Sequence, residues 1–294
     1  MGAVRRKIRL KAFAKVNYAL DVVGVRPDGY HELRTVLQSV SLADGVTVER
    51  IGSGFELLVE PENLGIGTLE QNTAYRARSL LGELCDTELP ARVTLTKNVP
   101  AGAGLGGGSS DAAAVLLGLD ELFGLGLSAE ELGIVGAKIG ADVPFCLAGG
   151  TALAEGVGEA LTNVPAPPDH RLLIAKPSRG ADTGKVYRAY DAAPVPSVDS
   201  ADRVLAALRS GDLAALAGAL GNDLAYFTKE ELPEVAELEE KLLQAGALGA
   251  SMTGSGSAVY GLFRDEEAAE RARGKIEASF TGVCAPVSRG VEEI

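Results

Sequence analysis

A glycine-rich segment at residues 100–114 constrains this chain more than any other stretch of its 294 residues. It contains five glycines between positions 102 and 108, followed by two serines, an aspartate and an apolar run. Glycine lets successive backbone N–H groups point to one place, and it lets an anion approach without a Cβ in the way. The apolar run at 112–119 predicts a buried helix whose unpaired first amides would face the same place. The segment therefore predicts a loop that binds phosphate.

The backbone of this loop is predicted to bind the phosphates of a nucleotide. The loop residues are Pro100, Ala101, Gly102, Ala103, Gly104, Leu105, Gly106, Gly107, Gly108, Ser109 and Ser110. Ser109, Ser110 and Asp111 stand at the predicted helix start, where such side chains commonly cap the first amides. A flexible linker is the alternative, but a linker would not lie between a strand-like alternating segment at 92–99 and an apolar helix.

The segment does not fit any of three familiar phosphate-binding loop motifs well. Gly102, Gly104 and Gly107 match G-x-G-x-x-G, but a dinucleotide-binding fold would continue with a second strand that ends in an acid. Here a second helix with its own cap is predicted at 128–135. A Walker loop ends in Gly-Lys-Ser/Thr, and no lysine follows the last glycine of this loop. The H-R-D and D-F-G segments of protein kinases do not occur in the sequence.

Length and composition predict two domains. With 294 residues and 46% hydrophobic content the chain can bury a large core, and it is long for one compact domain. The proline-rich stretch at 164–169 is the best candidate boundary, which gives an N-terminal domain at 1–164 and a C-terminal domain at 165–294. Strand-like and helix-like runs are mixed irregularly, and this indicates the α+β class rather than a regular doubly wound sheet.

Charge and cysteine usage narrow the partners and the compartment. A formal net charge of −12 argues against non-specific binding to a nucleic-acid backbone. Three widely spaced cysteines without a C-x-x-C pair suit a reducing cytosol better than a disulfide framework or a zinc site, and Cys146 is predicted to be a core residue. No targeting segment and no apolar stretch of membrane-spanning length is visible. We therefore expect a cytoplasmic protein without nucleic-acid or membrane partners.

Two charged residues stand in apolar surroundings. Lys15 and Asn17 share one face of a predicted strand, because strand side chains alternate. Taken alone, a strand lysine is more often a solvated residue than a catalytic one. Asp142 follows a predicted helix cap at Gly140 and precedes apolar residues, where an unpaired carboxylate would be costly. The residues alone leave a structural ion pair and a catalytic base equally open for Asp142.

Three further segments have less specific signals. Tyr30 and His31 follow a turn at 27–29 and could bind a nucleobase by stacking and hydrogen bonding. Two rings beside a turn are, however, more often ordinary half-buried residues without a ligand. His170, beside the proline-rich stretch, is expected on the surface. The segment at 249–257, rich in glycine and hydroxyl groups, could form a second cluster of backbone N–H groups or a tight turn.

Taken together, these segments resemble the galactokinase, homoserine kinase, mevalonate kinase and phosphomevalonate kinase superfamily. Its three motifs occur in order, at 14–17, 100–111 and 253–256. The first motif departs from the common pattern at Phe13, where a proline is usual. The segments at 28–33 and 140–145 are similar to one branch, whose acceptor is a cytidine diphosphate sugar alcohol of the non-mevalonate route to isoprenoid precursors.

The resemblance implies a fold and a reaction. It implies an N-terminal domain with a left-handed βαβ unit, against the usual right-handed rule, a ferredoxin-like C-terminal domain, and a site between them. The activity implied is ATP-dependent phosphorylation of the 2-hydroxyl of the sugar alcohol, with Lys15 and Asp142 as catalytic residues. The implied substrate-binding residues are Asn17, Tyr30, His31, Thr183 and Tyr187. Mg²⁺ would arrive with ATP, and no metal ligand is assigned to the chain.

Two rival functions remain open from the sequence. The nearest is another small-alcohol kinase of the same superfamily, acting on homoserine or mevalonate. The other is a nucleotide-binding regulator without catalysis, which the presence of both Lys15 and Asp142 disfavours. The partners expected are small molecules, with the chain as a monomer or a homodimer.

Overall fold

The computed structural model describes residues 5–27, 29–61, 68–195, 197 and 199–294. Asp28, in the middle of the predicted turn at 27–29, therefore lies outside the described residues. The strands are β1 (Lys7–Val25), β2 (His31–Arg50), β3 (Phe55–Glu60), β4 (Ala91–Thr96), β5 (Thr151–Gly156), β6 (Ala160–Asn163), β7 (Arg171–Lys176), β8 (Gly221–Asn222), β9 (Gly249–Met252), β10 (Val259–Phe263), β11 (Phe280–Cys284) and β12 (Val291–Glu293).

The helices are α1 (Thr73–Leu84), α2 (Gly107–Phe123), α3 (Ala129–Ile139), α4 (Val143–Ala148), α5 (Thr183–Ala192), α6 (Ser200–Ser210), α7 (Leu213–Ala219), α8 (Ala225–Glu231), α9 (Pro233–Gln244) and α10 (Glu266–Arg273), with a 3₁₀ turn at Leu69–Gln71. Within the described part of the chain, no helix has the length and apolarity needed to cross a bilayer. The predicted α+β class is confirmed.

The first sheet has the order β12-β1-β2-β4-β3, and β5, β6 and β8 join it at the side. Its two long strands, β1 and β2, pair antiparallel with register shifts that bend the ribbon, one of them next to Asn17. Strands β3 and β4 pair in parallel and are connected through α1, which makes a βαβ unit. The left hand expected for this crossover stays a prediction.

The second sheet has the order β11-β7-β10-β9, and each neighbouring pair is antiparallel. In chain order this is fourth, first, third, second, with helices between the first and second strands and between the third and fourth. The order matches the ferredoxin-like pattern that the resemblance implies. Strand β12 returns to pair with Leu10–Ala12 of β1, so the last residues belong to the first sheet. The boundary between 164 and 165 stays a prediction.

Helix α2 begins five residues earlier than the apolar run alone predicts. Gly106 takes the left-handed conformation at its N-cap, with φ +72°, and the helix starts at Gly107. Ser109, Ser110 and Asp111 therefore lie inside the first turns, and the prediction that they cap the helix is wrong. The helix packs closely on the first sheet, because a Cβ at Gly118 would lie 2.8 Å from a methyl carbon of Val48.

His170 is buried, and the prediction of a surface histidine is wrong. Its Nδ1–H donates to the carbonyl of Pro168 (2.7 Å), so in the neutral ring Nε2 accepts from the Tyr18 hydroxyl (3.1 Å). Burial lowers the pKa of His170, which favours that neutral form. Cys146 is buried as predicted, and burial raises the pKa of its thiol to about 12.

Candidate active site

The glycine loop turns through three left-handed residues, Gly102, Gly104 and Gly106, with φ between +60° and +75°. A Cβ at Gly104 would lie 2.1 Å from the carbonyl oxygen of Thr253, so only glycine allows the loop at 253–256 to pack this closely. The backbone of Ala258 also donates to the carbonyl of Ala103 at 3.2 Å. The two glycine-rich loops therefore form one contiguous surface.

Lys15 extends from β1 across the end of the glycine loop. A Cβ at Gly106 would lie 2.9 Å from Cγ of Lys15, so the lysine stem rests directly on that glycine. Its Nζ lies 3.3 Å from Oδ2 of Asp142, at the start of α4. The lysine side chain is 4% exposed and the aspartate side chain 36% exposed. A buried cation thus holds a carboxylate that remains open to a ligand.

Asn17 connects the first and the third sequence motifs through one amide group. Its Oδ1 accepts from Nζ of Lys15 (3.0 Å) and from the backbone N–H of Gly254 (2.9 Å), and it lies 3.0 Å from the Thr253 hydroxyl. Its Nδ2 donates to the Thr35 hydroxyl at 2.9 Å. Both polar ends of this buried side chain are therefore engaged by protein groups, and Asn17 fixes the position of the Lys15 ammonium.

Two cavities lie on either side of the glycine loop. One, of about 340 Å³, is lined by Lys15, Asp142, Thr183 and Tyr187 among others. The other, of about 420 Å³, lies between the loop, the segment at 71–73 and Lys97. Gly102, Gly104, Gly106 and Ser109 line both cavities. The loop is thus a shared wall, and a ligand could reach across it from one cavity toward the other.

A cluster of rings adjoins the first of these cavities. The rings of His31 and Tyr187 have centroids 4.5 Å apart, and Tyr190 meets His31 edge-on at 5.7 Å. Nε2 of His31 lies 2.7 Å from Oδ1 of Asp191. Burial and the charge of Asp142 raise the pKa of Tyr187 to about 12, so its hydroxyl stays protonated. Tyr30 is 65% exposed and does not line either cavity.

The two serines after the glycines have different surroundings. The Ser110 hydroxyl is buried and donates to the carbonyl of Phe13 (2.6 Å), and its backbone N–H donates to Gly106 (2.8 Å). Because both of these donors of Ser110 are already bonded to backbone carbonyls, neither is free to bind phosphate in this conformation. Ser109 faces both cavities. Thr183 faces the first cavity, and its hydroxyl lies 2.7 Å from that of Ser255.

Sequence reasoning missed several residues whose partners lie far away in the chain. Those that touch predicted site residues, or lie at the end of the loop, are Thr35, Asp44, Lys97 and Asp191. Asp111 and Ser255 lie inside two of the motifs, but the sequence assigned neither of them to the site. The nearest sequence signal was the position of Lys97 and Asp111 on either side of the glycines. Nothing in the sequence marks Asp44 or Asp191, because their contacts depend on tertiary packing.

Both halves of the chain match kinase domains. The GHMP kinases N-terminal domain matches residues 72–150, which include the glycine loop and Asp142, and the GHMP kinases C-terminal domain matches residues 204–282. Together with the fold and the site, these matches define a GHMP kinase, a phosphotransferase.

The comparison with individual proteins narrows this class. The chain is 44% identical over 275 residues to 4-diphosphocytidyl-2-C-methyl-D-erythritol kinase of Geobacter metallireducens, covering 93% of this chain and 95% of the relative. It is 43% identical over 276 residues to the enzyme of that name from Moorella thermoacetica, covering 93% and 96%. The chain belongs to the 4-diphosphocytidyl-2-C-methyl-D-erythritol kinase family.

Solved structures agree with this placement. A crystal structure of 4-(cytidine 5'-diphospho)-2C-methyl-D-erythritol kinase superposes with a TM-score of 0.79 at 35% identity, covering 95% of this chain and 99% of that one. Homoserine kinase from Cytophaga hutchinsonii superposes with a TM-score of 0.80 at 19% identity, covering 100% and 99%. The second likeness concerns the fold alone, so it does not bear on the acceptor.

Proposed function

We propose that this kinase transfers the γ-phosphoryl group of ATP to the 2-hydroxyl of 4-diphosphocytidyl-2-C-methyl-D-erythritol. The observation that carries the proposal is the Lys15–Asp142 pair, 3.3 Å apart, in a cavity that the glycine loop and Tyr187 also line. This arrangement provides a phosphate site, a proton acceptor and an aromatic surface around one space. Family membership supplies the acceptor.

Asp142 is proposed as the general base. Its exposed carboxylate accepts the proton of the 2-hydroxyl while the oxygen forms a bond to the γ-phosphorus, and the bond from that phosphorus to the β,γ-bridging oxygen breaks to release ADP. Lys15 stabilises the negative charge that gathers on the transferring oxygens. Because Asn17 holds the Lys15 ammonium in place, the positive charge is already in position before the substrate arrives.

The glycine loop is proposed to hold the ATP phosphates through its backbone N–H groups and the N-terminus of α2. The nucleoside would then occupy the cavity of about 420 Å³, and the γ-phosphoryl group would cross the wall formed by Gly104 and Gly106. Ser109 is the hydroxyl side chain of the loop that faces both cavities. This direction places the transferring group next to Lys15.

Mg²⁺ is proposed as the companion of ATP. Among the described residues no group of three or more His, Cys, Asp or Glu side chains is arranged to hold a metal ion. The Ser109 hydroxyl and the Asp142 carboxylate are oxygen donors of the kind that Mg²⁺ accepts beside phosphate oxygens, so the site fits a metal carried mainly by the nucleotide. When bound, the ion would neutralise phosphate charge. That the chain provides no dedicated metal cage stays a prediction.

Base recognition is proposed for the ring cluster. Since Nε2–H of His31 donates to Asp191, Nδ1 of the neutral ring is left as an acceptor, which suits the 4-amino group of cytosine and not the 4-carbonyl of uracil. Tyr187 would close over the base, with Thr183 nearby, and the contact of Tyr30 with the base stays a prediction, since this ring is exposed and lines neither cavity. Asn17 lines the cavity and holds Lys15. That Asn17 also contacts the acceptor stays a prediction.

A coupled assay of ADP release tests the proposal. We expect ADP release that depends on the cytidine diphosphate sugar alcohol, with negligible release for homoserine and mevalonate at equal concentration. Preference for either of those alcohols would favour the rival small-alcohol kinase, and nucleotide binding without acceptor-dependent turnover would favour the regulator. A cytoplasmic location, and action as a monomer or homodimer on small molecules alone, stay predictions.

A further inference from the structure

A buried ion cluster lies beneath the glycine loop. The Lys97 ammonium makes hydrogen-bonded ion pairs with Oδ2 of Asp44 and with Oδ2 of Asp111. The side chains of the two aspartates are 0% and 4% exposed, and that of the lysine 13%. Oδ1 of Asp111 has no hydrogen-bond partner among the described residues. Two carboxylates and one ammonium thus share a site that is almost closed to water.

This ion cluster of Asp44, Lys97 and Asp111 touches the chain on both sides of the loop. Oδ1 of Asp44 accepts from the backbone N–H groups of Asn98 (2.6 Å) and Val99 (2.8 Å), the two residues that precede the loop. Asp111 lies in α2 and directly follows Ser110, the last residue of the loop. The ammonium of Lys97 joins the two carboxylates and therefore ties the entry of the loop to its exit.

The ion cluster also lies directly under the glycines. A Cβ at Gly107 would lie 3.5 Å from Oδ2 of Asp44. Glycine-rich backbone is conformationally free, so a loop of this composition would lose much entropy when it orders around a ligand. Fixing both ends of the loop in advance removes part of that cost and so strengthens binding.

We propose that Lys97, Asp44 and Asp111 are positioning residues that hold the glycine loop in its phosphate-binding shape. The inference rests on the proposed binding of ATP phosphates by this loop. It assigns the cluster an effect on nucleotide affinity, and not on the proton transfer at Asp142. Lys97 and Asp111 also line the cavity of about 420 Å³ that is proposed to hold the nucleoside. A direct contact with ATP would therefore be the competing explanation of their effect. Asp44 does not line that cavity, and it separates the two explanations.

The test compares the affinity for a non-hydrolysable ATP analogue, measured by calorimetry, with steady-state kinetics. We expect Asp44→Asn and Lys97→Met to raise the Kd of the analogue and the KM for ATP by about tenfold or more, with kcat at saturating ATP and the KM of the acceptor nearly unchanged. Lys97→Arg should restore part of the affinity, because it restores the charge. Hydrogen exchange at the amides of 98–108 should accelerate in the weakened variants.

The matched control is Arg92→Met, which removes the exposed ion pair between Arg92 and Glu56. Arg92 lies on β4, the strand that leads to the loop, and the change should leave the Kd unchanged. If a thermal melt shows that Asp44→Asn is unfolded, Lys97→Met serves instead, with hydrogen exchange measured in the absence of nucleotide, because the loss of a direct contact with ATP would not change that exchange. A folded Asp44→Asn or Lys97→Met variant with wild-type Kd and unchanged exchange would overturn the inference. A wild-type chain that does not bind the analogue would overturn the proposed function as well.

Discussion

The ammonium of Lys15 lies 3.3 Å from the carboxylate of Asp142, with the lysine buried and the aspartate side chain 36% exposed. The sequence alone left Asp142 as either a structural ion pair or a catalytic base. The structure shows the ion pair, and the open face of the carboxylate keeps it available for a substrate. Both roles are therefore compatible in one residue.

Asn17→Ala should reduce both stability and turnover. The change leaves the buried Gly254 N–H without its acceptor, at a cost of roughly 1–3 kcal/mol, and it leaves Asp142 as the remaining partner of the Lys15 ammonium. Because the ammonium is then no longer held in place, we expect kcat to fall by about tenfold or more. Urea unfolding and initial rates measure the two effects.

Asn222→Ala is the matched control for that variant. Nδ2 of Asn222 donates to the carbonyls of Met252 and Gly254, so its loss loosens the same loop without removing a bond to Lys15. It should lower stability with a smaller effect on kcat. Equal losses of kcat in the two variants would contradict the role given to Asn17.

Gly104→Ala and Gly102→Ala form a second matched pair. Both glycines have positive φ, so each substitution costs about 1–2 kcal/mol of backbone strain. A Cβ at 104 would also collide with the Thr253 carbonyl at 2.1 Å, whereas a Cβ at 102 meets open space. We expect Gly104→Ala to raise the KM for ATP much more than Gly102→Ala does. Similar KM values in the two variants would mean that the contact between the loops does not matter for nucleotide binding.

The uridine analogue of the acceptor tests base recognition. A buried acceptor on His31 facing the 4-carbonyl of uracil leaves both groups unpaired, so kcat/KM should be lower by about a hundredfold or more than for the cytidine compound. Asp191→Ala should reduce this discrimination, because it removes the partner that fixes the tautomer of His31. Equal kcat/KM for the two compounds in the wild type would refute this assignment.

Stability should depend on pH through Asp111. Burial and the charge of Asp44 raise the pKa of Asp111 to about 7 against the attraction of Lys97, from an ordinary value of 3.8. The native state therefore keeps a proton that the unfolded chain releases above pH 4. The stability this proton contributes is complete below pH 4 and is lost as the pH rises through 7.

Asp111→Asn removes this dependence because the carboxamide does not titrate. Between pH 5 and pH 8 the free energy of unfolding should fall by roughly 2–3 kcal/mol more in the wild type than in the variant. Urea titrations at both pH values measure the difference. Parallel pH dependence in the two proteins would show that Asp111 does not hold this proton.

Local sequence signals predicted the glycine loop, the helix after it and the α+β class. The start of α2 was misplaced because the left-handed conformation of Gly106 lets the helix begin before the apolar run. His170 was expected on the surface because nothing in its flanking residues reveals that Tyr18 meets it across the fold. The residues of one motif were thus easier to predict than contacts between distant segments.

Contacts between distant segments also form the ion cluster and the pair of His31 with Asp191, so the sequence did not predict either of them. Asp44 can pair with Lys97 only because the pairing of β2 with β4 brings the two side chains together. Asp191 can bond to His31 only because α5 packs beside that histidine. Lys15 and Asp142 could be named from a resemblance, but their separation and exposure required the packed structure.

The kinetics of Asp142→Asn test the central claim most directly. With ATP binding confirmed by calorimetry, we expect kcat for the cytidine diphosphate sugar alcohol to fall by roughly a hundred- to ten-thousand-fold, the range for a lost general base. The Kd for ATP should stay close to that of the wild type, because the glycine loop is untouched. Turnover at the wild-type rate in a variant that binds ATP normally would contradict the account.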